Sequence, residues 1–194
     1  MAPIVPPPRS SPEADGRARW YARELGWATA GTSPVRLPTG LRFDVLELPA
    51  VAGHAVLRRV GRTGPVALAG QRMWLLVAAG GADELPGLLD WLEWGGITLD
   101  LTAIGAGGHI TAPVPPDGSR GPSGAALWLR PPEPRRAVEP MLPALVGFGN
   151  RGGDVPDLVR LVDAAATECH RARLAGARTP LTAGRPEGQP LAFS

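Results

Sequence analysis

No lysine occurs in the sequence, and all 20 basic residues are arginine. The pI near 9.4 therefore reflects a net charge of only +2, carried by groups that never deprotonate. Cysteine is almost as scarce. The single Cys169 excludes an intramolecular disulfide, and one thiol with three scattered histidines cannot build a Cys/His zinc site. Any metal would have to be held by carboxylates. No apolar run approaches the roughly 18 residues of a membrane-spanning helix, and the leader MAPIVPPPRSSPEADG lacks the apolar stretch of a signal peptide. A cytoplasmic protein without a membrane partner is expected.

Positive charge is also missing from the middle of the chain. Between Arg72 and Arg120 there is no basic residue, whereas Asp83, Glu84, Asp90, Glu93, Asp100 and Asp117 all fall there. Residues 37 to 170 carry eleven Arg against fourteen acids, and residues 171 to 194 carry four against one. A nucleic-acid binder shows the opposite footprint, a basic stripe on its folded domain. Nucleic-acid affinity is accordingly expected to be weak and to reside in the terminal arginines.

What the chain has in excess is glycine and proline, 26 and 23 residues, which mark loops and tails. Residues 1–16 and 175–194 are too weakly apolar to offset the entropy of ordering, and read as tails around one domain at 17–174. Helical spacing of Ala18, Tyr21, Ala22 and Leu25 predicts a helix over 15–25, stopped by Gly26. WATA, LRFDVLEL, VALA, MWLLVAA and AALWLR read as strands. A helix over 50–60 would present Val51, Ala55, Val56 and Val60 on one side. Another, over 82–94, would turn Leu85, Leu88, Leu89 and Leu92 inward with Pro86 in its first turn. ITLDLTAI and HITAPV, joined by GAGG, read as a hairpin. Asp154 and Pro156 announce a last helix reaching about Leu174, with Leu158, Leu161, Val162, Ala165 and Cys169 inward. The alternation predicts an α+β domain with a mostly antiparallel sheet and flanking helices.

The GAGG at 105–108 lacks the helix that must follow a dinucleotide loop, so it reads as a turn. Glu168, Cys169 and His170 look like a catalytic triple in print, but consecutive helical residues point about 100° apart. Three carboxylates are more informative: Asp44, Glu47 and Asp100 lie in predicted strands, where a charge is costly unless it is paired, exposed or holding metal. Strand alternation places Asp44 and Glu47 on opposite faces. Trp91 and Trp94 share a predicted acidic helix and are candidate anchors of a protein-partner or self-association surface if either is exposed.

Taken in order, several segments resemble the primase/polymerase (prim-pol) domain of the archaeo-eukaryotic primase superfamily, in the bifunctional type common in actinobacteria. ARWYARELGWATA is similar to its opening helix and strand, PTGLRFDVLEL to the segment ending in its first acidic motif, LDLTAIGAGGHITAPVPPDG to its later acidic strand and Gly turn, and AALWLRPP to its closing strand. The similarity spans about residues 17 to 150. It implies a site in which strand acids hold two divalent metals for nucleotidyl transfer. Asp44 takes the first acidic place and Asp100 the third, but the second falls on Leu46. The family's His place falls on Met73 or Trp74, with Arg72 as polar neighbour.

The resemblance therefore implies a catalytically degenerate domain that works by binding, as a regulatory or assembly partner that requires no cofactor. Two alternatives stay open. In an active enzyme, Asp44, Asp100 and Glu47 from a bulged strand would hold Mg²⁺ or Mn²⁺, and Arg72 would contact a triphosphate. In a nucleotide or oligonucleotide sensor, Arg72 and His109 would contact the ligand in the remnant pocket.

Overall fold

The computed structural model describes residues 12–61, 63–116, 124–145 and 157–177. The chain runs through α1 (Pro12–Trp20), a π-helical turn (Tyr21–Leu25), β1 (Arg36–Pro38), β2 (Phe43–Pro49), α2 (Ala50–Val60), β3 (Val66–Ala69) and β4 (Arg72–Ala78). It continues through α3 (Gly81–Trp91), β5 (Thr102–Ile104), β6 (His109–Thr111), β7 (Leu127–Arg130), a 3₁₀ turn (Glu139–Met141) and α4 (Leu158–Ala177). The result is an α+β domain. Its main sheet has the order β5-β2-β4-β3-β7 with every neighbouring pair antiparallel, and β1 pairs with β6 in a separate two-stranded ribbon.

Strands β2 and β4 are apolar on both faces, so both faces of the sheet must be covered. On one side Leu46, Leu48, Met73, Leu75 and Val77 pack against α2, α3 and α4. On the other, Phe43, Val45, Trp74 and Leu76 pack against Tyr21, Trp27 and the β1–β6 ribbon. Tyr21 ties this second layer together. It is fully buried, donates its hydroxyl proton to the Pro113 carbonyl at 2.9 Å and accepts the Trp128 indole N–H at 2.9 Å. Burial raises its pKa well above the ordinary tyrosine value, outweighing the opposing Trp128 hydrogen bond and the Arg17 charge. The unfolded chain therefore loses this proton first, and the phenol's stabilisation is complete below about pH 10 and fades above it. Tyr21→Phe should lose about 1–2 kcal/mol at neutral pH by stranding both partners. It should also flatten the alkaline decline, which urea titrations across pH 8–11 would check.

Several expectations need correction. WATA is not a strand: Trp27 is buried in the core and only Ala30 bridges to Arg36. The expected hairpin of β5 and β6 does not form. A tight turn, closed by Gly108 N–H to the Gly105 carbonyl at 3.0 Å, instead hands the chain from one sheet to the other. Helix α1 begins at Pro12, so residues 12–16 are helical rather than tail, and α4 runs on to Ala177. The buried face of α2 is Ala52, Gly53 and Val56, with Val51 70% exposed, because Gly53 lets the helix sit close on Met73. Pro86 is the sixth residue of α3, beyond the first turn, so the Ala82 carbonyl loses its i+4 donor. Five inward positions of α4, Leu158, Leu161, Val162, Ala165 and Cys169, are buried as expected. Residues 1–11 and 178–194 of the expected tails, Asp117, and the helix start at Asp154 and Pro156 lie outside the described residues.

Candidate functional site

Asp44 is the most buried carboxylate of the candidate set, 1% exposed. It stands near the start of β2 on the helix-covered face, opposite Val77 of β4. Just beyond β4 the chain turns through Gly80 into α3. There Asp44 Oδ2 accepts the backbone N–H of Gly80 at 2.8 Å and of Ala82 at 3.0 Å. A carboxylate at a helix N-terminus satisfies amides that have no partner within the helix and sits favourably in the dipole. Among the described residues Oδ1 is buried with no hydrogen-bond partner. The Gly105–Gly108 turn packs over this corner. A Cβ at Gly105 would meet Ala82 Cβ at 2.8 Å, and one at Gly40, whose φ is +83°, would meet Ala106 Cα at 2.4 Å. The glycines there permit close packing of a turn, with no helix behind it to bind phosphate.

The other acids belong to a different corner. Glu47 lies on the opposite face of β2, where Oε1 accepts from Arg72 Nε at 2.9 Å and Oε2 from the Trp74 indole N–H at 2.8 Å. Arg72 Nη1 donates to both oxygens of Asp100 at 2.7 and 2.8 Å. Partial burial works against the Arg72 charge, but the hydrogen bonds and attraction of Asp100 and Glu47 prevail and hold its pKa above the usual arginine value. Asp100 is not on a strand, as expected from the sequence, but in the bend before β5, with its side chain 60% exposed. Its carbonyl accepts from the Cys169 thiol. Burial, then the charge of Asp100, pushes that thiol up to about 12, where it is a poor nucleophile.

These positions do not assemble a metal centre. Arg72, which binds Asp100, pairs with Pro49, whereas Asp44 lies five residues back along β2. Five strand residues span about 16 Å, and a shared Mg²⁺ requires oxygens at about 2.1 Å from one point. Glu47 points to the other face from Asp44, and β2 pairs in continuous register without the bulge that would rotate it. Among the described residues, no three His, Cys, Asp or Glu side chains are grouped to hold an ion. The Mg²⁺ or Mn²⁺ that the resemblance implies therefore does not fit Asp44 and Asp100 jointly.

His109 is exposed in the β1–β6 ribbon opposite Pro38, far in topology from Arg72 in the main sheet. Arg72 is paired with Glu47 and Asp100, and it belongs to a different sheet from His109. A cavity of about 250 Å³ instead lies between Trp27, Pro38, Leu41, Arg42 and Phe43, residues without motif spacing, and Arg42 there is paired with Glu139 at 2.7 Å.

Trp91 and Trp94 are separated by the end of α3. Trp91 is the last helical residue and is 71% exposed. After it, Trp94 N–H donates to the Leu89 carbonyl at 2.8 Å and Glu93 N–H to that of Asp90 at 3.1 Å, with Glu93 at φ 64°. This is a Schellman closure in which Glu93 occupies the left-handed position usually given to glycine. It folds Trp94 back, half-buried, against His170 of α4 with ring centroids 5.8 Å apart. Trp91 is left outside, and Asp83, Glu84, Asp90 and Glu93 are exposed around it with no ion pair among the described residues. None of the described helices is long and apolar enough to cross a membrane. No family model, curated protein or solved structure matches the chain.

Proposed function

We propose that the chain is a prim-pol-like scaffold without nucleotidyl-transfer chemistry, acting in the cytoplasm by binding a protein partner in a regulatory or assembly role. The observation that carries this reading is the separate commitment of its two motif acids: Asp44 caps α3, and Asp100 neutralises Arg72 at the other end of β2. Two-metal transfer needs acids converging on the attacking and leaving oxygens, and these diverge. Arg72, facing two carboxylates, is poorly placed to receive a triphosphate. An exposed indole on an acidic helix suits a protein surface better than a phosphate backbone.

The expected result is that the full chain neither makes nor extends a primer on single-stranded DNA with Mg²⁺ or Mn²⁺. Template-dependent synthesis that disappears in Asp100→Asn would overturn the reading, since that exposed residue can be changed without removing the α3 cap.

A further inference from the structure

Gly87 occupies an exposed position in the middle of α3 where the fold does not require glycine. Its φ lies outside the left-handed region, and a Cβ there would meet nothing within 4 Å. Alanine would fit and would strengthen the helix. On a helix surface the neighbours of a residue are those three and four positions away. For Gly87 these are Asp83, Glu84, Asp90 and Trp91, all exposed. Asp83 leans toward Gly105, its Oδ1 being 3.8 Å from where a Cβ would stand, and the Asp90 carboxylate lies against Gly95. The centre is left open. Bare backbone is thus flanked by a 71% exposed indole and by the exposed residues Asp83, Glu84 and Asp90, none of which is in an ion pair among the described residues.

Open helix surface without a side chain lets an element of a partner approach closely, and the flanking side chains select which one. Three carboxylates with no paired cation among the described residues repel phosphate and acidic peptides and attract a basic group. The indole face favours a planar guanidinium, which stacks on it while its methylene stem covers apolar surface. Resting on the binding role proposed above, we infer that the exposed Gly87–Trp91 surface of α3 is the docking point for an arginine-rich segment of a partner protein. One arginine of that segment lays its stem over Gly87 and its guanidinium on Trp91. Burying that pair in the middle of the contact would make Trp91 the dominant contributor, with the acids setting the encounter rate and salt dependence.

The test uses the full chain and a fluorescein-labelled nona-arginine peptide at physiological salt, with nona-glutamate as control. Saturable binding of nona-arginine alone is expected, weakened roughly tenfold by Trp91→Ala, as for a central aromatic anchor. Gly87→Leu, whose Cβ would meet nothing within 4 Å, covers the bare backbone and should weaken it similarly. Both variants should melt at or above the parent temperature, since neither position supports the core. Absence of binding, or equal binding by both variants, would overturn the proposal, the latter by showing only diffuse attraction to acids. A chain that sediments as a dimer and is split by Trp91→Ala would also overturn it, assigning the face to a second copy. Primer synthesis by the same preparation would sink the non-catalytic reading and leave the peptide result standing, so the two failures are distinguishable.

Discussion

Replacing Asp44 by alanine is expected to lower the unfolding free energy by about 3 kcal/mol, combining a lost helix cap with two backbone donors left without an acceptor. For a domain of this size that corresponds to a fall in melting temperature of roughly 6–12 °C. The effect is large because α3 has little intrinsic stability. Eleven residues with Gly81, Pro86 and Gly87 among them make a weak helix, so tertiary contacts and the cap must hold it. Amide exchange should quicken first across 81–91. Asp44→Asn retains an oxygen acceptor for Gly80 and Ala82 and should lose less than half as much. A melting temperature for Asp44→Ala within about 2 °C of the parent would reject the capping role, that margin being under 1 kcal/mol.

The second large effect reverses an ordinary rule. Gly→Ala in a helix interior normally gains about 1 kcal/mol, yet Gly53→Ala should cost about 2 kcal/mol by overpacking α2 against β4. A Cβ at Gly53 would stand 2.3 Å from Met73 Sδ and 2.9 Å from Met73 Cβ. The thioether can swing away, but Cβ moves only with the strand. Met73→Ala alone should cost about 2–5 kcal/mol through the cavity it leaves. In the double variant the new methyl enters that space, so the combined loss should fall short of the sum by at least about 1 kcal/mol. Four urea titrations complete the cycle. Simple additivity would show that the cost of Gly53→Ala does not arise from its contact with Met73.

Gly53 also explains where reading the sequence succeeded and where it stopped. Periodicity located α2 within its true limits, but a glycine adds nothing to a hydrophobic pattern, so the helix was turned toward Val51 instead of toward Met73. Strands β2 and β4 were legible because both are long and apolar on each face. Strand β1, with Arg36 and Pro38 in three residues, carries no such pattern, and its pairing with β6 depends on distant chain. For the candidate site, alternation correctly separated Asp44 from Glu47. Nothing local could show that the Asp44 partners are amides of Gly80 and Ala82, or that Asp100 would meet Arg72, because these contacts span 28 to 38 residues. The exposure of Trp91 against the half-burial of Trp94 follows from where α3 ends, a boundary three residues earlier than its apolar pattern suggested.

The opposite placement of Asp44 and Glu47 has a consequence for how β2 finds its partners. A strand whose two sides are both apolar is poorly addressed, since sliding it by one residue exchanges one greasy surface for another. The two carboxylates remove that ambiguity. After a one-residue slip, Asp44 would face the Trp74 side and Glu47 the helix side, each charge buried away from the donors that now receive it. Correct alignment brings both to their donors at once, and any odd-numbered slip brings neither. The acids thus serve as an address written on both sides of an interior strand, readable only when β4 and the start of α3 are in place.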